Sequence, residues 1–166
     1  MLKRKLLILV AGLTALCATP AFAQNEEATA SSTPEPVFQG EHSDWRVFVR
    51  GEGPDRVCYA ISSPTDSRPA NVDHGDVYFL VATWASGVAE EQPSFLAGYA
   101  LRPASPPRTR VGSDSFSMYV SEQEGFIENL RDESRLVDAM RRGSSMRVEA
   151  MSDRGTVWAV IPCRSP

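Results

Sequence analysis

The sequence predicts a mainly β domain, an antiparallel β-sandwich or partly open β-barrel carrying one short helix. Three observations predict it. Short runs alternating apolar and polar residues recur between turns rich in Gly, Pro, Asp and Ser. Only one stretch, Asp132 to Gly143, combines helical spacing with matching start and stop signals. The chain has 166 residues, enough for one domain.

The first residues are expected to leave before folding. Lys3-Arg4-Lys5, the apolar run LLILVAGLTALCA and the Ala21-Phe22-Ala23 site have the three-part layout of a secretory signal, with residues 1–23 removed. The apolar run is too short for a comfortable membrane span, and no later stretch approaches ~20 apolar residues. Of the 17 basic and 21 acidic residues, three basic ones lie in the signal, so the mature chain holds 14 against 21, a net −7. Every remaining cation is an Arg. That balance argues against nucleic acid as a partner, because such binding rests on neutralising phosphates.

Residues 24–43 are polar, acidic and proline-bearing and read as a disordered linker, leaving 44–166 as the domain. Order begins at Trp45, where Trp45, Val47 and Val49 alternate as a half-buried strand through Arg50. Gly51–Asp55 is a turn, and Arg56–Ser62 returns with Val57, Tyr59 and Ile61 on one face and Cys58 and Ala60 on the other. The loop Ser63–Asp76 holds Asp73-His74-Gly75-Asp76, the only cluster of His with carboxylates. Its spacing matches no metal-ligand pattern, so it reads as a solvated loop tip. Val77–Trp84 (VYFLVATW) is apolar on both faces, which predicts a central strand covered on both sides. Ser94–Tyr99 follows, and Gly98 within it suggests a bulge or a close backbone approach beside Tyr99. Arg102–Arg110, with PASPP between arginines, reads as an edge or loop excluded from a sheet. Val111–Val120 is a further strand, and Phe126, Ile127 and Leu130 fit a partial helix.

The helix is expected to start with Asp132 as its N-cap. Leu136, Val137 and Met140 form its buried stripe, Arg141 and Arg142 sit at its negative end, and Gly143 takes the left-handed stop position. From Met146 the period changes to two, with Met146, Val148 and Ala150 opposed to Arg147 and Glu149. Ser152-Asp153-Arg154-Gly155 is turn chemistry, with Gly155 free to adopt positive φ, and Thr156–Ile161 closes the hairpin. About seven strands result.

With Cys17 in the signal, Cys58 and Cys163 form an even pair in an oxidising compartment, which predicts a structural disulfide. Closing a loop of that length would stabilise the fold by ~4–5 kcal/mol in the chain-entropy model. No nucleophile elbow, phosphate-binding loop, zinc helix or dinucleotide fingerprint is present, so neither a cofactor nor a catalytic residue is assigned. Paired carboxylates in a groove or an apolar barrel interior would instead indicate an enzyme or a small-ligand carrier. Arg141, Arg142, Arg147 and Arg154 are the most concentrated positive feature and the candidate patch for an acidic partner.

Several segments together resemble the invasion-associated locus B family of exported proteins from Gram-negative bacteria. They are Asp44-Trp45, Val57-Cys58-Tyr59-Ala60, Ala97-Gly98-Tyr99, the run Leu136–Ser144 with Ala139-Met140-Arg141-Arg142-Gly143, and Ser152-Asp153-Arg154-Gly155-Thr156. The match extends from Trp45 to about Thr156; beyond it the chain runs directly through Trp158 to Cys163 instead of following the family's longer path. The resemblance implies a non-enzymatic protein of the periplasm, outer membrane or exterior. Its expected partner is an envelope or host protein, engaged in host-cell invasion or envelope maintenance.

Overall fold

The computed structural model describes residues 34–152 and 155–163. Its strands are β1 (Val37–His42), β2 (Trp45–Arg50), β3 (Val57–Ser62), β4 (Asp66–Arg68), β5 (Tyr78–Trp84), β6 (Gln92–Leu96), β7 (Arg108–Val111), β8 (Asp114–Ser121), β9 (Glu124–Ile127), β10 (Ser145–Ser152) and β11 (Gly155–Pro162). Among the described residues one α-helix, α1 (Leu130–Arg142), lies between β9 and β10, and a single 3-10 turn spans Gly53–Asp55. The strands form one antiparallel sheet in the order β1-β2-β3-β5-β6-β9-β8-β7-β10-β11-β4, not closed into a barrel. The mainly β expectation with a single helix therefore holds.

β8 is the corner of this sheet. Its residues Asp114–Ser117 pair with β7 and Met118–Ser121 with β9, so one strand serves both halves. The inward side chains of both halves share one core. Phe79, Phe95, Met118, Met146, Val148 and Ile161 are essentially inaccessible. Trp45 also belongs to this core, and its Nε1–H donates to the Pro162 carbonyl at 3.1 Å, tying β2 to the end of β11. Side chains from both halves thus fill a common core.

Helix α1 buries Leu136, Val137, Ala139 and Met140, as its spacing predicts, and packs against β6 to β9. Its ends differ from expectation. The N-cap is Asn129, whose Oδ1 accepts from the Asp132 N–H at 3.0 Å. Asp132 sits in the first turn and is bonded by Asn129 and Arg135, which hold its carboxyl below the usual range. Gly143 has φ −83°, so the stop is not left-handed. A side chain is excluded there for another reason: an added Cβ would lie 2.7 Å from Val111 Cγ1.

Helix residue Glu133 is buried to 6 % exposure, and desolvation raises its pKa, while a hydrogen bond from Gln92 acts in the opposite direction. A carboxyl raised in the folded state favours folding while it is protonated. That contribution is lost as pH rises through the folded pKa. Glu133→Gln is therefore expected to stabilise the domain near neutrality, with the gain vanishing below about pH 4, where the unfolded carboxyl is also protonated. Urea midpoints of both proteins across that range check the sign.

Four further differences trace to local causes. The expected linker 24–43 contains β1, which pairs with β2 and so starts the sheet at Val37. Arg108–Val111 is an interior strand, because the prolines end at Pro107 and Gly112 (φ 57°) supplies a turn into β8. Glu124–Ile127 is strand, not helix, with Gly125 and Ile127 facing the core. β4 is too short to give a sequence signal and forms an edge on β11.

The predicted disulfide is not formed: Cys58 is an exposed free thiol and Cys163 a buried one. Cys163 follows Pro162, at the Trp45 end of β2, whereas Cys58 pairs opposite Val49. Val49 lies four residue steps along β2 from Trp45, about 13 Å of rise. Burial pushes the Cys163 thiol up to about 11, so it stays protonated and unreactive.

Candidate binding groove on the outer sheet face

Strand alternation gives β3, β5, β6, β9 and β8 a second face, turned away from the core. On β3, Tyr59 and Ile61 lie on it; on β5, Tyr78, Leu80, Ala82 and Trp84 do. The cross-strand rows are continuous: Phe48–Tyr59–Ala82–Gln92, and Ile61–Leu80–Ser94–Phe126–Tyr119. No helix or second sheet among the described residues lies on this face: α1 packs where Leu136 and Met140 join the core.

The result is an open groove of about 660 Å³. Small and aliphatic residues (Ala82, Ser94, Leu80, Ile61) make its floor. Aromatic residues flank it: Tyr59 on one side, backed by Phe48 outside the lining at 5.6 Å between centroids, and the Tyr119–Phe126 stack at 5.7 Å on the other. Phe38 of β1 extends the first side, edge-on to Phe48 at 5.5 Å, and remains 54 % exposed. Paired rings hold one another in position and retain free edges and faces for a ligand. Arg50 and Glu124 also line the groove, Glu124 being the single carboxylate among its lining residues. Burial and the neighbouring Glu122 raise the Glu124 pKa. The paired carboxylates that an acid–base hydrolase needs are not assembled in this groove.

The sequence signal for this face was present but pointed elsewhere. VYFLVATW is apolar on both faces, as expected, yet only its odd-numbered residues Val77, Phe79 and Val81 join the core; Tyr78, Leu80 and Trp84 line the groove. Likewise Tyr59 and Ile61, the main apolar row of their strand, face outward, while Ala60 packs on the core.

The arginines of the predicted patch do not gather. Arg141 binds Asp138 at 3.1 Å and also pairs with Glu91 in the β5–β6 connection, which neutralises it locally. Arg142 is exposed at the helix end. Arg147 lies on the outer face of β10, on the opposite side of the sheet from the core that receives α1. Arg154 lies outside the described residues. Among the remaining predicted positions, Trp45 and Met140 are core, and Gly155 (φ 133°) opens β11 with Ser152 as its partner, as the turn chemistry requires.

Gly98 does make the close approach its position suggested, though beyond the end of β6. An added Cβ would lie 2.5 Å from the His74 carbonyl oxygen and 2.6 Å from the Asp76 nitrogen. This contact presses the 73–76 loop against Gly98-Tyr99. A cleft of about 440 Å³ results, lined by His74, Tyr99 and Val157 among others. The His74 Nε2 is 2.8 Å from the Pro69 carbonyl, and Asp73 accepts from the Gly75 N–H, so both polar side chains brace the loop. Burial raises the Tyr99 hydroxyl to about 12. No group of three His, Cys, Asp or Glu able to hold a metal occurs among the described residues, and no described helix is long and apolar enough to cross a membrane.

Comparison with known proteins adds no relative: no family model, no curated protein and no solved structure matches this chain.

Proposed function

We propose that this is an exported, non-enzymatic binding protein of the bacterial envelope or cell surface that captures a protein partner in the groove of the outer sheet face. The observation that carries this reading is the groove itself: contiguous aromatic and aliphatic side chains on one sheet face, left open. Large apolar surface is costly to leave in water, and such patches mark interaction sites. Aromatic side chains held in a concave surface are also the residue type that dominates binding energy at protein interfaces. The export signal read from residues 1–23 and the resemblance to the invasion-associated locus B family support the location, with host-cell invasion or envelope maintenance as the biological setting.

Replacing Tyr59 and Tyr119 with Ser removes one ring from each wall without touching the core. Partner capture from envelope extract is expected to weaken by roughly 30-fold or more, the loss of one strong interface anchor of about 2 kcal/mol. Because the contact is apolar, capture by the wild-type protein should persist at high salt. Arg141→Ser/Arg142→Ser should capture normally. A Tyr59→Ser/Tyr119→Ser protein that is folded and retains every partner would remove the groove from consideration.

A further inference from the structure

The outer surface of the other half of the sheet is polar and positively charged. Alternation turns Arg108 and Arg110 outward from β7, with Thr109 and Val111 buried between and beyond them. The register sets Arg110 between Ser115 of β8 and Arg147 of β10, and Arg108 between Ser117 and Glu149. Directly opposed like charges weaken a sheet, and Arg110 and Arg147 are such a pair.

Arg147 is already committed. Its guanidinium lies 3.0 Å from the Glu149 carboxylate and 4.2 Å above the Trp158 ring centroid. Glu149, the one carboxylate in this cluster, is thus engaged by Arg147. Arg108 and Arg110 have no ion pair among the described residues. On a chain of net charge −4, three arginines against one glutamate reverse the local sign. Beside them lies an open cleft of about 330 Å³, lined by Pro107, Arg108, Ser117 and Met151 and also by Glu149, whose carboxylate is held by Arg147.

We propose that this face is a binding site for a phosphate or sulfate group. Arg108 and Arg110 would supply forked donors suited to a tetrahedral oxyanion, and the Ser115 and Ser117 hydroxyls further donors. Arg147, held by Trp158 and Glu149, adds positive potential, and the cleft receives the body of the ligand. An anion here would offset the Arg110–Arg147 repulsion that remains beside the Arg147–Glu149 pair. The site shares no residue with the aromatic groove and does not depend on it.

Titration calorimetry of the full mature protein with inorganic phosphate and with sulfate, at low ionic strength, tests the site. The expected result is saturable binding that weakens as sodium chloride is added. Arg108→Ser/Arg110→Ser should weaken it by about tenfold or more, since two charge-assisted contacts are lost. Arg141→Ser/Arg142→Ser, at the helix end, should bind as the wild type does. Co-sedimentation with phosphatidylcholine vesicles, with and without phosphatidylglycerol, separates the sources. Retention on the anionic vesicles that requires Arg108 and Arg110 assigns the group to a lipid headgroup; phosphate binding without it assigns a soluble ester. Both outcomes support the site. Absence of saturable phosphate binding by the wild type overturns it whatever the vesicles show, as does a folded Arg108→Ser/Arg110→Ser protein that binds phosphate unchanged.

Discussion

Phe79→Ala is expected to destabilise the domain by about 3–5 kcal/mol. Phe79 is fully inaccessible on the core face of β5, opposite Phe95 on one side and Ser62 on the other. Truncating it removes a large buried surface and leaves a cavity whose walls belong to hydrogen-bonded strands that cannot easily collapse into it. Against a total stability of order 5–15 kcal/mol, that is a large share. Trp84→Ala on the same strand removes a larger side chain from the outer face and should cost less, because that ring is only half-buried. Urea titration of the two variants checks the pair. A smaller loss for Phe79→Ala than for Trp84→Ala would mean that the two faces of β5 have been exchanged.

Gly98→Ala carries the second large effect. The added methyl meets three backbone atoms at 2.5–2.7 Å, the His74 oxygen, the Asp76 nitrogen and the Gly75 carbon. Backbone cannot swing aside as the end of a flexible side chain can, so either the 73–76 loop or the 97–100 segment must move. A loss of about 3 kcal/mol is expected, the upper end for overpacking, together with exposure of Tyr99. The tyrosine ionisation, now pushed up to about 12 by burial, should then fall toward the ordinary value near 10. Gly40→Ala, where no atom lies within 4 Å of the new Cβ, should be nearly silent in the same assays. Equal stability of Gly98→Ala and Gly40→Ala would contradict the close approach.

Much of this fold was legible because local signals agreed with one another. The β10–β11 hairpin was readable from the alternation of Met146, Val148 and Ala150 and from Gly155, and helix α1 from Leu136, Val137 and Met140. The misread segments had ambiguous local chemistry. Phe126 and Ile127 suit a helix or a strand, and only pairing with β6 and β8 decides between them. Arg108–Val111 follows Pro106 and Pro107 closely, and tertiary pairing with β8 and β10 overrides the expectation that prolines set. Cysteine count and compartment carry no information about where Cys58 and Cys163 lie in the fold. The groove was hidden for a related reason. Apolar residues on both faces of β5 announce that both faces matter, but not that one of them is covered by the core and the other is left open. The basic face was divided in sequence between residues 108–110 and 147, and only the β7–β10 register brings them together.

On the proposed reading the outer aromatic face, rather than the helix-end arginines, is the binding surface. Hydroxyl-radical footprinting of the protein alone and in complex with its captured partner measures this directly, because tyrosine, tryptophan and phenylalanine are reactive when exposed. Protection of Tyr59, Trp84, Tyr119 and Phe126 is expected in the complex, with Val88 and Leu130, exposed outside the groove, labelled as before. Unchanged labelling of the four groove residues in a saturated complex would contradict it.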